Sequence, residues 1–407
     1  MRIAILTNEY PPYIYGGAGV HVEYLTRELC KVEGGIHSVE VLCFGDQSCE
    51  DRNLTVRGIN SPGDPLPARD PRHAKFLDTM LRDLLMAGSL NDIDVVHCHT
   101  WYTHLAGCLV KQLTRAKLVL TTHSLEPHRP WKVEQLGTAY NASSWVEKTA
   151  YQNADGVIAV SSAMCEDVQT LYGVPREKIK VIHNGIDLDQ YRPTFQPEVV
   201  RRYGIDPAVP FVLFVGRITR QKGIIHLVNA VRSIRSGVQV VLCAGAPDTE
   251  EIGREMEDAV ARARAETTNP LIWIPQMVPK DDIIVLYTHA ALFVCPSVYE
   301  PFGIINLEAM ACGTPVVASA VGGIKEVVVP EKTGLLVPFD PRGETDFEPK
   351  DPARFARDLA AATNRLLDDN ALRERMGERA RERVEHFFSW KSIARWTADF
   401  YWELVQG

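Results

Sequence analysis

The sequence has no CxxC pair, no Cys/His group at zinc-site spacing, and an odd number of cysteines: nine, scattered singly at 30, 43, 49, 98, 108, 165, 243, 295 and 312. That pattern excludes a disulfide-stapled scaffold and a structural zinc module, and reads as core thiols in a reducing compartment. No apolar run approaches the ~18 residues of a membrane span. The run at residues 3–6 is too short for the core of a secretion signal, so a cytoplasmic location without membrane attachment is expected. A basic excess is missing too. With 44 Lys and Arg against 52 Asp and Glu, the net charge of -8 argues against nucleic acid as a partner and still allows a local basic site. GxGxxG and Walker A are both absent, which disfavours a dinucleotide oxidoreductase. Low-complexity tracts and solenoid-length repeats are also missing.

What is present is 407 residues, 45% hydrophobic and 24% charged, enough for two ordinary domains with sizeable cores. Residues 3–6 read as a buried strand, followed by a glycine loop through Gly16 and Gly17 and a helix carrying Val22, Leu25 and Leu29 on one face. Further strands are expected at 39–44, 94–97, 118–122, 156–160 and 180–182. An irregular excursion is expected up to residue 72, and helices at 76–85 and about 143–153. The pattern restarts after a polar connector at 187–197. Strands at 211–215, 238–243, 271–274, 292–295, 315–319 and 334–337 alternate with helical segments, and the last stretch from 351 is helical. Alternation of this kind indicates two doubly wound parallel sheets of the α/β class. The expected boundaries are 1–187 for a first Rossmann-like domain and 188–389 for a second, with an aromatic-rich terminal helix at about 390–407 packing back on the first.

In open α/β sheets ligands gather at the carboxyl ends of strands, so the polar residues there are the candidates. One stretch, 294–313, combines a strand end, the loop Glu300-Pro301-Phe302-Gly303, and a helix resuming at Ile304 with Glu308 inside it. Gly303 admits ligand oxygens close to the backbone, and the helix start offers unpaired N–H groups to a phosphate. Two carboxylates flanking an anion site suit a ligand with hydroxyls at both ends and phosphate between, the layout of a nucleotide sugar. Arg217 and Lys222, between Gly216 and Gly223 on a loop before a helix, have the chemistry to grip a diphosphate as fork and point charge. Two other strand ends carry Cys98 to His104, with three histidines at 97, 99 and 104, and His123 to Lys132.

Glu300 and Glu308, with seven residues between them, and Gly216-Arg217…Lys222-Gly223 resemble the retaining nucleotide-sugar glycosyltransferases of family 4, over essentially the whole chain. The stretches TNEYPPYIYGGAGVHVEYLTREL, DVVHCHTWYTHLAG and THSLEPHRPWKVEQLG look, more narrowly, like the short bacterial glycogen synthases, described in actinobacteria also as maltose-1-phosphate synthases. The resemblance implies a GT-B fold, two Rossmann-like domains facing a cleft. It also implies transfer of glucose from ADP-glucose, with retention, to glucose 1-phosphate or the non-reducing end of an α-1,4-glucan, without a cofactor or metal.

Residue by residue, the resemblance implies that Glu300 holds the glucose hydroxyls and that the amides at Gly303, Ile304 and Ile305 reach sugar and distal phosphate. Glu308 holds the ribose, while Arg217 and Lys222 neutralise the departing diphosphate. Gly16 and Gly17 would close on the donor, His123 would sit against the transferred sugar, and Phe302 belongs to the donor loop. Met277 and Val278, together with 244–247, would lie near the base. The acceptor side is expected from Glu9, Tyr15, Trp101, Tyr102, His104, Glu126, Arg129, Lys132 and Asn184. Long bacterial glycogen synthases carry Lys and Asp where this chain has Tyr15 and Thr100, so acceptor recognition does not carry over from them. Arg129 and Lys132 favour an anionic acceptor such as glucose 1-phosphate. The competing readings are a family relative using a UDP- or GDP-sugar on another sugar, lipid or small alcohol, and a non-catalytic nucleotide-sugar sensor. Homo-oligomerisation stays open.

Overall fold

The computed structural model describes all residues except 64–65, 246 and 344–345. The chain forms two compact units: Met1–Gly185 together with Trp390–Gly407, and Ile186–Ser389.

The first unit is built on an eight-stranded sheet in the order β3-β4-β2-β1-β5-β6-β7-β8. Its strands are β1 (Arg2–Thr7), β2 (Ser38–Phe44), β3 (Ser48–Asp51), β4 (Leu54–Ile59), β5 (Val95–His99), β6 (Lys117–Thr122), β7 (Gly156–Ala159) and β8 (Ile179–Val181). All neighbours run parallel except β3 with β4. Helices cover both faces, which is why β1, β5 and β7 show no alternation of buried and exposed residues: every residue from Ile3 to Thr7, and all of β5 and β7, is buried. The edge departs from expectation. Residues 45–72, expected to be irregular, contain β3 and β4. All four residues of β3 are exposed, so no apolar periodicity marks it, and only the pairing of Leu54–Ile59 with Val39–Phe44 makes the neighbouring segment a strand. Helices also run longer than their apolar stripes suggest. One spans Pro71–Gly88, where Asp70 accepts from Arg72 N and Pro71 suits the first turn, and another begins at Ala139.

The terminal helix Trp390–Gln406 completes this unit. Its Trp390, Ile393, Ala394, Ala398, Phe400 and Tyr401 join the core around Ile3, Ile5, Val22 and Leu25. Gly156 is small for a reason: a Cβ there would lie 2.6 Å from the Phe400 ring.

A buried acid sits on the helix Ala139–Asn153. Glu147 accepts from Glu126 N at 2.8 Å and from the Tyr172 hydroxyl. Burial, with the neighbouring Glu126 charge, pushes its carboxyl up to about 8. A folded-state value above the unfolded one means stability that is complete below the unfolded value and is lost as pH rises through about 8. Glu147→Gln removes that titration. Between about pH 6 and about pH 8.5 the melting temperature of the parent is expected to fall relative to the Gln variant. A pH-independent difference between the two melting curves would contradict the assignment.

The second unit has a six-stranded, all-parallel sheet in the order β11-β10-β9-β12-β13-β14. The strands are β9 (Phe211–Arg217), β10 (Gln239–Gly245), β11 (Leu271–Ile274), β12 (Leu292–Cys295), β13 (Val316–Ser319) and β14 (Gly334–Val337). Its core gathers Val212, Phe214, Leu242 and Val294 from the strands with Leu227, Met256, Leu359 and Leu366 from the helices. Among the parallel strands of each sheet the order reverses direction at β1/β5 in the first unit and at β9/β12 in the second. Outside the carboxyl ends of such a strand pair a crevice opens, because the connecting helices leave to opposite faces. Among the described residues, no helix is long and apolar enough to cross a membrane.

Candidate active site

At the β9/β12 reversal, the loop after β9 and the loop after β12 meet. Lys222 Nζ lies 2.7 Å from Glu300 Oε2, with both side chains largely buried, and Ser297 Oγ donates to the same oxygen at 3.2 Å. Ser297 is itself held in place, since its carbonyl accepts from the Ser319 hydroxyl. Two glycines make room for this contact. Gly223, at φ +58, precedes the helix Ile224–Ala230, and a Cβ on it would stand 2.1 Å from the Pro296 carbonyl oxygen. Gly322, at φ +45, passes so close under Glu300 that a Cβ would stand 2.1 Å from the Glu300 carbonyl oxygen, which accepts from Gly323 N at 3.0 Å. Gly322→Ala is therefore expected to destabilise the protein by about 2–3 kcal/mol and to displace Glu300. Thermal unfolding checks it; an unchanged melting temperature would refute the contact.

Gly303, at φ +96, caps the helix Ile304–Ala311 and leaves the N–H groups of Ile304 and Ile305 without intrahelical acceptors. One turn on, Glu308 is half-buried and accepts from Tyr191 Oη at 3.1 Å and from Tyr287 Oη at 3.0 Å. Burial raises its pKa and the two tyrosine bonds oppose that rise. Arg217 Nη1 pairs with Asp248 Oδ1 at 2.9 Å, at the ends of neighbouring strands β9 and β10. Phe302 is buried, edge-on to Phe388 at 5.9 Å, and so braces the loop. Met277 is 83% exposed while Val278 is buried; within 244–247, Ala246 lies outside the described residues.

At the β1/β5 reversal of the first unit, Glu9 Oε2 accepts from the backbone N–H of Tyr15 at 2.9 Å and of Gly16 at 2.8 Å. That carboxylate fixes the glycine loop, and Gly19 is needed because a Cβ would lie 2.8 Å from Glu9 Oε2. Gly17 is already helical, opening the helix Gly17–Leu29. Thr100, at φ +70, donates to Asn8 Oδ1 at 2.8 Å and so ties the end of β5 to the end of β1. His123 is half-buried and its Nε2 lies 2.9 Å from His99 Nδ1. His21 Nδ1 lies 2.6 Å from Asn184 Oδ1, and its ring stands edge-on to His123 at 4.8 Å. Burial lowers the pKa of all three imidazoles, so all are neutral near pH 7.

Nitrogens of His21, His99 and His123 fall within 4.8 Å of one another, a grouping that spacing along the chain does not reveal. Ligand nitrogens around one zinc stand roughly 3.3 Å apart, given Zn–N of ~2.0–2.1 Å. The 2.9 Å His99–His123 contact is a hydrogen bond between stacked rings, with His21 edge-on to His123.

Trp101, His104 and Glu126 are buried, so in this structure they support the walls and present no face to a ligand. Trp101 stacks on Tyr102 at 4.2 Å, and His104 stands edge-on to Tyr151. Arg129 stands 3.7 Å from Glu126 Oε1 and 3.3 Å from Ser124 Oγ, while Lys132 is buried and Tyr15 is 57% exposed. Ser297, Asp248 and His21 were not singled out from the sequence, and His99 was marked only as one of three strand-end histidines. Asp248 and Ser297 each follow a strand end, which was the available signal.

Residues 15–190 match the family described as Glycosyltransferase Family 4, and residues 195–383 match Glycosyl transferases group 1. An alpha-maltose-1-phosphate synthase of Mycobacterium tuberculosis is 45% identical over 98% of this chain and 99% of its own length. A glycogen synthase of the same organism is 29% identical over 100% of this chain and 96% of its length. Among solved structures, a sucrose-phosphate synthase from Thermosynechococcus elongatus superposes with a TM-score of 0.77 at 26% identity, covering 100% of this chain and 99% of that one. Two parallel-sheet Rossmann-like units make this a GT-B protein, and the chain belongs to the family 4 glycosyltransferases.

Proposed function

We propose that this chain is a retaining α-glucosyltransferase of α-glucan biosynthesis that moves glucose from ADP-glucose to glucose 1-phosphate, forming maltose 1-phosphate. The observation that carries the donor half is the 2.7 Å Lys222–Glu300 contact beside the helix start at Gly303. A carboxylate that engages sugar hydroxyls and an ammonium that engages phosphate are held against each other, so the bond between sugar and phosphate falls where they meet. Arg217 and Lys222 supply positive charge as the diphosphate leaves, which is the electrostatic service a metal gives elsewhere. Glu308, already oriented by two tyrosines, takes the ribose hydroxyls. The acceptor hydroxyl's proton passes to the departing phosphate, so no second carboxylate base is required.

The acceptor half is supported by the 45% identity to a protein named for maltose 1-phosphate, against 29% to one named for glycogen. Arg129 adds to it, since its guanidinium is held by a 3.3 Å bond to Ser124 Oγ and a long 3.7 Å contact with Glu126. A glucan end is the second reading, favoured by the glycogen synthase relative.

Nucleotide release from ADP-, UDP- and GDP-glucose, each with glucose 1-phosphate and with EDTA present, tests the donor and the metal independence together. ADP-glucose is expected to turn over at least about tenfold faster than the others, a difference of ~1.4 kcal/mol in transition-state binding. Faster turnover of UDP- or GDP-glucose, or loss of rate with EDTA, would overturn that part.

A further inference from the structure

His123 belongs to a ladder of side chains from five separate segments. His99 Nδ1 contacts His123 Nε2 at 2.9 Å, and the two rings stack with centroids 5.2 Å apart. Behind His99 lies His97, 4.2 Å away by ring centroid, bonded through Nε2 to Thr121 Oγ1 at 2.7 Å and through Nδ1 to Tyr401 Oη at 2.5 Å. Beside them His21 bonds Asn184 and meets Trp390 edge-on at 5.2 Å.

The His99–His123 contact contains one proton, and its position decides what His123 can do. If His123 Nε2–H donates, His99 must carry its own proton on Nε2. That atom is buried in a residue with no exposed surface and has no hydrogen-bond partner. A buried N–H without an acceptor is among the rarest and costliest defects in proteins, whereas a lone pair without a donor is better tolerated. His21 follows the tolerated pattern. Its Nδ1 faces the carbonyl oxygen of Asn184, so it carries the proton there, and its buried Nε2 is an unpartnered lone pair. His99 therefore carries its proton on Nδ1 and donates.

We propose that His99 is a positioning residue that locks neutral His123 in its Nδ1–H tautomer, so that His123 presents a hydrogen-bond donor, and not a base, to the hydroxyls of the transferred sugar. This rests on the glucosyltransferase reading for its consequence, though the tautomer itself does not. A donor stabilises a sugar hydroxyl as charge develops at the ring. A base at that place would instead activate water and favour hydrolysis of the nucleotide sugar.

Two measurements test it. Ring-nitrogen NMR of the full chain, with 15N-labelled histidine and EDTA present, and with His123 assigned by comparison with His123→Gln, should show the His123 proton on Nδ1. A proton on Nε2 overturns the proposal whatever the enzyme's activity. Kinetically, His99→Leu should lower kcat roughly tenfold to hundredfold, with ADP affinity changed less than about twofold. His99→Asn, whose amide N–H stands in for Nδ1–H, should recover most of that loss. Equal rates for the Leu and Asn variants, with both folded by circular dichroism, would reduce His99 to packing and overturn its positioning role. If His123→Ala retains full activity, the sugar-contact reading fails separately, and the NMR result still decides the tautomer.

Discussion

Replacing Glu300 with alanine is expected to lower kcat roughly 10²–10³-fold while the protein still folds. In the proposed reaction the carboxylate would do two things at once: meet the sugar, and hold the Lys222 ammonium, which stands 2.7 Å away in a partly desolvated loop. Removing it deletes contacts that strengthen as the glycosidic bond breaks, and leaves Lys222 to drift from the phosphate. Stability should change little by comparison. Ser297 keeps its anchor to Ser319, and the backbone at Glu300 is still gripped by Gly323 N. Steady-state kinetics beside a melting curve separate the two effects. Activity within a few-fold of the parent would remove Glu300 from the reaction.

Lys222→Ala is expected to fail differently, by raising KM for the nucleotide sugar about tenfold and lowering kcat about tenfold or more. In the proposed reaction the ammonium would meet negative charge in the bound donor and more of it in the departing diphosphate, so both ground state and transition state would lose. Truncation also strands Glu300, 6% exposed, without its counterion, and the cost of a buried unpaired charge is added to the loss. Because the two side chains act as a unit, the double variant Glu300→Ala/Lys222→Ala should be far less impaired than the product of the single losses. Multiplicative effects in that cycle would mean that the two residues work independently.

Much of this was legible in the sequence because it is local. Glu300, Gly303 and Glu308 fall within one loop–helix stretch, and Arg217 and Lys222 within another. Each carries its own strand end, glycine and helix start, so residue type and spacing suffice to mark them. The all-buried strands announced two parallel sheets by their unbroken apolar runs, and the aromatic density after Trp390 announced a helix that must pack on something. The histidine ladder was not legible. His21 lies on a helix, His97 and His99 on β5, His123 after β6, and Trp390 and Tyr401 at the far end of the chain; only folding brings them together. Likewise Asp248 meets Arg217 because β9 and β10 are neighbours, a fact of sheet order and not of spacing. At the edge, β3 shows the opposite limit: its side chains face water, so composition carried no signal, and the pairing with β4 alone defines it.

The central claim is the transfer of glucose from ADP-glucose to a phosphorylated acceptor, and product analysis tests it most directly. The enzyme is incubated with radiolabelled ADP-glucose and, in separate reactions, with glucose 1-phosphate or with glycogen; the products are separated by charge and examined by NMR for anomeric configuration. The account predicts a disaccharide phosphate with an α-linkage from the first reaction, at a rate well above incorporation into polymer. Label entering only the polymer, or a β-linked product, would contradict it.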